Sequence, residues 1–436
     1  MTPSESSIFR ASSLLLVLFH VITAVNAIPA SATTTDDNPI TLPVAKRFNF
    51  TGSTKILQHD QARARHLLTQ GAARLGTGTL LSPSPAGSDI PAENQLVQYV
   101  ASVRIGTPST TYELVVDTGS SNTWVGAGQT YIQTSTTQQT RDQVSLTYGS
   151  GEYMSGVEFT DIINMGVAGL GLTVRGQSIG VAAEWGGFEG VDGVLGLGPT
   201  GLTIGTLNPD TTTSIPTVTD NLFSQSYIED DIVSIYFQPT QANNVVNGVL
   251  SFGDTYIWGI VGAINYAPIT STKPSSTYWG INQGLRYGPS SKLLTFSPGI
   301  FDTRTTLILL ATGKVPPTDV LNTYIGLVGA EFDETTNFFR ITPAQYNSLQ
   351  SLFFTINNVI YEFTANAQIW PRNLNSAIGG TSDYVYLILG DIGWNSGTGM
   401  DFINGMTFIE RYYMVFDTGN HRVGIANTPN TRATTN

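Results

Sequence analysis

The chain of 436 residues contains no cysteine, so disulfides, cysteine-ligated zinc and cysteine nucleophiles are all excluded. Histidine is almost as scarce, with four copies. Only His421 lies beyond the first 87 residues, in the turn-like segment TGNHRVG, which gives little basis for a Ser-His-Asp triad or a histidine metal site. Carboxylates, hydroxyls and water remain for catalysis, and we expect no cofactor and no metal.

Charged residues are also few, at 12%, against 41% hydrophobic residues. A chain of this length and composition exceeds one average domain and can bury sizeable cores. Its 45 glycines and 21 prolines separate short runs of valine, isoleucine, tyrosine and phenylalanine. This pattern favours strands and turns over long helices, so we predict a mostly β fold.

The longest apolar run near the start extends from Leu14 to Val25, follows Arg10 and precedes small residues that end at Ala27. It is shorter than the roughly 20 residues that a bilayer requires. The pattern predicts a cleaved signal peptide over residues 1–27 and a secreted, extracellular protein, with a buried N-terminal helix as the alternative. The polar C-terminal tail carries no hydrophobic anchor signal, and we expect no membrane partner.

Residues 28–87 form a basic leader. The first 87 residues hold 7 of the 20 lysines and arginines but only 4 of the 32 acidic residues, which leaves the remainder near −15. A basic leader attached to an acidic body suggests an intramolecular electrostatic cover that weakens when carboxylates are protonated. The alternative is an unstructured linker.

Two segments resemble copies of one design: LVVDTGSSNTW at 114–124 and GIFDTRTTLIL at 299–309. Each places an Asp-Thr pair directly after an apolar run that predicts a buried strand. Asp117 and Asp302 are far enough apart in the chain for each to belong to its own lobe. Carboxylates at the ends of buried strands must be hydrogen-bonded, face a cleft or lose their charge. Acid-base chemistry by two carboxylates is therefore the first hypothesis, with a glycosidase as a second candidate.

The same order of motifs follows each aspartate. An apolar-apolar-Gly triplet ends at Gly196 after the first and at Gly390 after the second. A third Asp-Thr-Gly, at Asp417, is too close to the C-terminus to complete the pattern. The segment APITSTKPSS, 267–276, indicates a surface crossing between two lobes. A hairpin with a glycine-rich tip at Tyr148 to Gly151 is a candidate flap over the cleft.

Together, DTGSSNTW, YGSG, DGVLGLG, ANAQIWPRNLN and FINGMTFIERYYMVFD resemble the pepsin-like aspartic proteases, most closely the cysteine-free, secreted polyporopepsin group of basidiomycete fungi. The resemblance runs from about Ser88 to the C-terminus. It implies a bilobal acid protease fold in which two pseudo-two-fold related β lobes, 88–266 and 267–436, flank a central cleft. It further implies that residues 28–87 are a propeptide, and that the protein hydrolyses internal peptide bonds of proteins at acid pH.

The resemblance also assigns roles to residues. Asp117 and Asp302 become the catalytic pair; two adjacent carboxylates share one proton, so they can activate a water between them. Thr118 and Thr303 interlock the two loops, while Gly196 and Gly390 belong to the strands behind the aspartates. The other supporting and substrate-binding positions are Gly119, Ser120, Arg304 and Thr305 around the pair, and Tyr148, Gly149, Ser150 and Trp124 at the flap.

One position departs from the pattern, because Arg304 stands where the second motif has glycine. An arginine that points out of the cleft leaves a working protease, whereas one that blocks the site leaves an impaired homologue that only binds peptides. A third alternative is a single-base error in a glycine codon. We expect an active endopeptidase and a monomer, whose partners are protein or peptide substrates and its own propeptide as an intramolecular inhibitor. No nucleic-acid partner is expected.

Overall fold

The computed structural model describes residues 39–48, 55–75, 97–149, 151–165, 172–313 and 319–436. The predicted signal peptide, residues 1–27, lies outside the described residues, as do residues 76–96, which contain the predicted end of the propeptide. Among the helices of these ranges, none is both long enough and apolar enough to cross a membrane.

The first part of the chain is built mainly from strands, as its valine, isoleucine and aromatic residues predict. Two helices, α1 (Ile56–Arg74) and α2 (Val218–Ser224), interrupt them. The strands are β1 (Ile40–Phe48), β2 (Val97–Ile105), β3 (Thr110–Asp117), β4 (Trp124–Val125), β5 (Gln138–Gly149), β6 (Glu152–Met165), β7 (Leu172–Gly186), β8 (Gly193–Gly196), β9 (Leu207–Asn208), β10 (Ile232–Phe237) and β11 (Val245–Phe252).

The second part repeats this composition with three short helices, α3 (Val320–Val328), α4 (Pro343–Tyr346) and α5 (Met406–Ile409). Its strands are β12 (Val261–Pro268), β13 (Gly280–Tyr287), β14 (Ser291–Phe301), β15 (Ile308–Thr312), β16 (Glu331–Asp333), β17 (Phe338–Ile341), β18 (Leu352–Ile356), β19 (Val359–Phe363), β20 (Val385–Leu387), β21 (Leu389–Asn395), β22 (Phe402–Asn404), β23 (Tyr412–Asp417) and β24 (Arg422–Asn427).

All the strands given for the first part belong to one large sheet, whose order is β12-β24-β23-β10-β11-β1-β2-β3-β8-β4-β7-β6-β5-β9. The second part forms a sheet of order β19-β18-β13-β14-β22-β15-β21 and a smaller one of order β16-β17-β20. The final strands β23 and β24 return to the first sheet, and β12 continues through Pro268. The boundary predicted between residues 266 and 267 therefore falls inside a strand rather than in a loop.

The two halves share one strand arrangement around the aspartates. In the first, β3 pairs in parallel with β8, which pairs antiparallel with β4, and β4 pairs in parallel with β7. In the second, β14, β22, β15 and β21 pair in the same way. The prediction of a mostly β fold with two related halves is confirmed.

This correspondence corrects one sequence assignment. Gly196 ends β8 and lies opposite Asp117. Its counterpart strand is β22, in which Asn404 lies opposite Phe301, just before Asp302, and Gly405 follows. The prediction that Gly390 takes this place is wrong, because Gly390 lies in β21, two strands away from β22, opposite Leu309. The motif escaped detection because the polar Asn404 occupies the position where an apolar residue is expected.

The described part of the basic leader is folded into the body. Strand β1 lies between β11 and β2 and pairs antiparallel with both. Its Lys46 ammonium forms a buried ion pair with Glu410 at 2.5 Å. Helix α1 packs against β5 of the first half and β21 of the second. The alternative of an unstructured linker is therefore wrong for these residues.

Candidate active site

Asp117 and Asp302 are brought together at the junction of the two halves. Asp117 ends β3, Asp302 follows β14, and both are fully buried. The threonines after them exchange hydrogen bonds: the amide of Thr118 donates to Thr303 Oγ1, and the amide of Thr303 donates to Thr118 Oγ1, both at 3.0 Å. Thr303 Oγ1 also donates to the carbonyl of Val116 at 2.7 Å. These bonds hold the two loops in a fixed relation.

Each carboxylate is oriented by a hydroxyl three residues later. Ser120 Oγ donates to Asp117 Oδ2 at 2.7 Å, and Thr305 Oγ1 donates to Asp302 Oδ2 at 2.6 Å. The amide of Gly119 donates to Asp117 Oδ1 at 2.8 Å. A Cβ at position 119 would lie only 2.5 Å from Asp302 Oδ1. Glycine is thus required in the first loop, because the second carboxylate approaches its backbone so closely.

A guanidinium from the leader lies between the two aspartates. Arg63 Nη2 is 2.7 Å from Asp117 Oδ1 and 3.0 Å from Asp302 Oδ1, and Arg63 Nε donates to Asp302 Oδ2 at 3.1 Å. Burial by itself raises the pKa of Asp302, but the charge and hydrogen bonds of Arg63 outweigh it and hold that pKa below its usual value. Burial by itself lowers the pKa of Arg63, but the charges of Asp117 and Asp302 outweigh it and raise that pKa.

Helix α1 presents Arg63 to this pair. Its sequence is rich in alanine, leucine, glutamine and arginine, which favour helix, and Ala64, Leu67 and Leu68 are buried against the body. The buried carboxylate of Asp60 accepts hydrogen bonds from the amides of Thr306 and Leu307 in the second half. The helix is therefore fixed by polar contacts as well as by apolar packing.

Further contacts tie the helix to both halves, the first of them from Arg74 Nη2 to the carbonyl of Leu202 in the first half at 2.6 Å. The hydroxyl of Tyr278 donates to the carbonyl of Leu67 at 2.7 Å. Gln61 Nε2 donates to the carbonyl of Asp391 at 2.8 Å. The helix consequently occupies the space between the two halves, directly above the carboxylates.

Strands β5 and β6 form the predicted hairpin, with Tyr148 near its tip. Trp124 Nε1 donates to the Tyr148 hydroxyl at 2.7 Å, and both side chains are buried. Gly149 has a positive φ of 94°, and a Cβ there would lie 2.8 Å from the carbonyl of Ala62 in helix α1. The hairpin therefore closes onto the leader helix. Ser150 lies outside the described residues.

Arg304 takes neither of the positions considered from the sequence. Only 2% of it is exposed, so it does not point out of the cleft, and Arg63 rather than Arg304 lies between the two aspartates. Its guanidinium lies under the hairpin, 4.9 Å from the ring centre of Tyr148 and 5.1 Å from that of Phe188. Arg304 Nη2 donates to Glu152 Oε1 at 2.6 Å.

Sequence reasoning missed Glu152, the first residue of β6. Its carboxylate also lies 3.4 Å from His59 Nε2 of helix α1. Burial alone raises the pKa of Glu152, but Arg304 and His59 lower it to about 2. Burial lowers the pKa of His59, yet Glu152 and Asp60 raise it to about 9. A signal for this cluster was present in the unusual Arg304 and in an acidic residue directly after the glycine-rich hairpin tip.

The described ranges contain no group of three or more His, Cys, Asp or Glu side chains arranged to hold a metal ion.

The third Asp-Thr-Gly has structural contacts. Asp417 accepts a hydrogen bond from Arg422 Nε at 2.6 Å and another from the amide of Asn420 at 2.9 Å. Asp117 and Asp302, by contrast, are buried together and oriented by hydroxyl groups, which suits them to proton transfer by two carboxylates and a water.

Comparison with known proteins gives one consistent result. Residues 98–428 match the family model described as eukaryotic aspartyl protease. Polyporopepsin from Irpex lacteus is 55% identical over 351 residues, which cover 80% of this chain and all of that protein. Pepsin A from Rhinolophus ferrumequinum is 29% identical over 356 residues, covering 77% of this chain and 83% of that one.

A solved structure agrees with the sequence comparisons. The crystal structure of the aspartic proteinase from Irpex lacteus superposes with a TM-score of 0.74 at 55% identity, covering 79% of this chain and 98% of that one. The predicted pepsin-like fold is therefore confirmed. The chain belongs to the pepsin-like aspartic protease family and is an aspartic endopeptidase.

Proposed function

We propose that Asp117 and Asp302 hydrolyse internal peptide bonds of proteins at acid pH by activating a water held between them. The observation that carries this proposal is the shared contact of one Arg63 nitrogen with oxygens of both carboxylates. Two carboxylates that both reach one nitrogen atom are close enough to share one proton over an acidic range of pH. The ionised member then draws a proton from water while the protonated member polarises the peptide carbonyl, and the pair titrates as a unit.

The surrounding residues support this chemistry. Thr118 and Thr303 fix the two loops, Ser120 and Thr305 orient the outer oxygens, and Gly119 allows the close approach. The hairpin at Tyr148, Gly149 and Ser150, with Trp124 beside it, covers an extended peptide bound in the cleft. Such a peptide is held mainly through its backbone, and apolar pockets select its side chains. Catalysis by this chain is favoured over peptide binding alone, because Arg304 lies beside the dyad rather than between its carboxylates.

We assign residues 28–87 to a propeptide that blocks the cleft, residues 88–266 and 267–436 to the two catalytic lobes, and residues 1–27 to a secretion signal. Helix α1 supports the inhibitory role, since Arg63 lies between the two carboxylates, where the proposed water would bind, and Asp60 binds backbone amides of the second lobe. After expression in a secreting host, the protein should be recovered from the medium. Its N-terminus should follow Ala27 before acid treatment and lie near Ser88 afterwards.

Digestion of denatured haemoglobin at acid pH tests the catalytic assignment. Asp117→Asn and Asp302→Asn should each lower kcat/KM by at least about 1000-fold, because each removes one partner in proton transfer. Asp383→Asn, at an exposed position, serves as the control and should retain full activity. A statine-type inhibitor should suppress the peptide fragments. Equal activity in Asp302→Asn and the control would refute the proposal.

A further inference from the structure

Arg304 and Glu152 form a buried ion pair that joins the second catalytic loop to the flap. Their side chains are 1% and 3% exposed. Arg304 belongs to the loop that carries Asp302, whereas Glu152 begins the second strand of the hairpin. The guanidinium also lies over the rings of Tyr148 and Phe188. A buried charge of this kind requires a partner, since an uncompensated charge in the interior is strongly destabilising.

The same guanidinium lies close to the dyad without binding it. Arg304 Nη1 is 3.9 Å from Asp117 Oδ2, beyond hydrogen-bond distance. Within the described ranges, Arg304 Nη1 and Nε have no hydrogen-bond partner. A cation at this distance favours the ionised form of a carboxylate. An aspartic protease needs one protonated carboxylate, so an Arg304 without a counter-ion would oppose catalysis.

The charges around the dyad change when helix α1 leaves. His59 and Arg63 depart with the helix, and so do Asp60 and His66. Among the described residues, the titratable and charged groups that remain near the dyad are Asp117 on the first loop, Asp302 and Arg304 on the second, Tyr148 and Glu152 on the flap, and Tyr278 of the second half. Arg304 is then the one cation among these residues. The negative charge of Glu152 offsets it, which leaves the dyad with the net charge it would have beside a glycine.

We propose that Glu152 is a positioning residue for peptide hydrolysis, which holds Arg304 against the flap and keeps its charge from acting on Asp117. The inference rests on the proposed function of the dyad. It explains how this chain accommodates an arginine at a position where the first loop requires glycine. It also means that closure of the flap brings the counter-ion of Arg304 into place.

The expected consequence is a shift in pH dependence. Without the carboxylate of Glu152, Arg304 favours the doubly ionised dyad and lowers both apparent pKa values of the pair. The pH profile of kcat/KM for Glu152→Gln should therefore move about one unit towards acid. On the alkaline limb of the wild-type profile, kcat/KM should fall about 10-fold, which corresponds to one pKa unit.

The test compares four acid-processed enzymes: wild type, Glu152→Gln, Arg304→Gly and the double variant. Active-site concentrations are set by titration with a tight-binding statine inhibitor, so that differences in processing do not enter the comparison. Glu152→Gln should shift the profile when Arg304 is present and change kcat/KM by less than about 2-fold when glycine replaces that arginine. A merely structural role of Glu152 would lower kcat/KM by the same factor at every pH and leave the position of the profile unchanged.

An equal shift in both backgrounds would overturn the inference, and so would a wild-type profile in Glu152→Gln. If Glu152→Gln fails to fold, recovery of folding and activity in the double variant supports the inference, whereas continued failure overturns it. Failure of the proposed function is recognised separately. In that case wild type and Arg304→Gly both lack peptidase activity, whatever residue occupies position 152, and the inference falls with it.

Discussion

The two aspartate loops have the same strand arrangement, matching threonine hydrogen bonds and matching hydroxyls that orient the carboxylates. They differ at the residue after the threonine. In the first loop Gly119 lies against the opposite carboxylate, and a Cβ there would meet Asp302 at 2.5 Å. In the second loop Arg304 passes beside the dyad and extends beneath the flap, where Glu152 binds it. The two-fold relation of the lobes therefore holds for the backbone and not for the space around each loop.

This difference shows that one motif position carries different constraints in the two halves. The flap belongs to the first lobe and covers the dyad from one side. It leaves a space with aromatic walls and one carboxylate beside the second loop, whereas Gly119 faces the carboxylate of Asp302 and the guanidinium of Arg63. The second loop thus has room for a long side chain that the first does not.

The largest effect is expected from Gly119→Ala. The added methyl displaces the Asp302 carboxylate, and misplacement of a catalytic group by about 1 Å lowers the rate by roughly 100-fold. Arg304→Ala, at the corresponding position, creates no clash with the dyad but leaves the buried Glu152 carboxylate without its main cation, so it should change kcat/KM by less than about 10-fold, an order-of-magnitude expectation. Steady-state kinetics on acid-processed enzymes measure both values. Equal losses would show that the loops are equivalent after all.

Removal of the cation that contacts both loops comes next. Arg63→Ala leaves the two buried aspartates without this partner in the propeptide form, and loss of a buried charge pair costs about 2 kcal/mol or more. Peptidase activity of the unprocessed protein near about pH 5 should therefore rise about 30-fold.

The matched control is Arg65→Ala, since Arg65 is exposed on the same helix. It should leave latency unchanged. Comparable activation by both substitutions would mean that the helix inhibits through its general charge and not through the dyad contact.

Substitution of the two threonines should produce a smaller difference, in the free energy of unfolding. Thr303→Val leaves both the Thr118 amide and the Val116 carbonyl without their partner, whereas Thr118→Val removes the acceptor of the Thr303 amide. With about 1 kcal/mol for each lost bond, Thr303→Val should reduce the free energy of unfolding by about 2 kcal/mol and Thr118→Val by about 1 kcal/mol. Urea denaturation measures the difference. The reverse order would indicate that the first loop is the one held more tightly.

The smallest predicted effect concerns the pH at which helix α1 is released from the cleft. Arg63 lowers the pKa of Asp302, and His59 and Arg63 add to the lowering of the Glu152 pKa by Arg304; these contributions of the helix stabilise docking above the usual pKa range and are lost as pH falls through the lowered values, near 2 for Glu152. The raised pKa of His59 acts in the opposite direction: its contribution is complete below about 6.5 and lost as pH rises through about 9. Docking should therefore weaken in strong acid and again at alkaline pH.

Substitution of His59 separates these contributions. His59→Gln removes one of the cations that lower the Glu152 pKa, so the midpoint of acid release should rise by about half a pH unit. Stopped-flow fluorescence across a pH series follows the release. The contact of Asp302 with Arg63 is unaffected by this substitution, so an unchanged midpoint would mean that release depends on the second loop alone.

Much of the molecule was accessible from the sequence because its signals are local. Strand-ending Asp-Thr pairs, glycine-rich turns and β-branched runs predict buried strands that end in carboxylates. The pairing of Asp117 with Asp302 also followed, since a repeated motif implies repeated structure. The displacement of the second glycine motif from Gly390 to Gly405 did not, because Asn404 breaks the apolar pattern and only the pairing of β22 with β14 reveals it.

By itself the sequence determined the class of chemistry and the family, through the absence of cysteine, the scarcity of histidine and the two aspartate motifs. Tertiary structure alone decided where the charges of the leader and of Arg304 lie. Arg63 and Asp117 are 54 positions apart in the chain, and Arg304 and Glu152 are 152 apart. Contacts over such separations depend on how the sheets pack, and no local pattern encodes which buried cation meets which carboxylate.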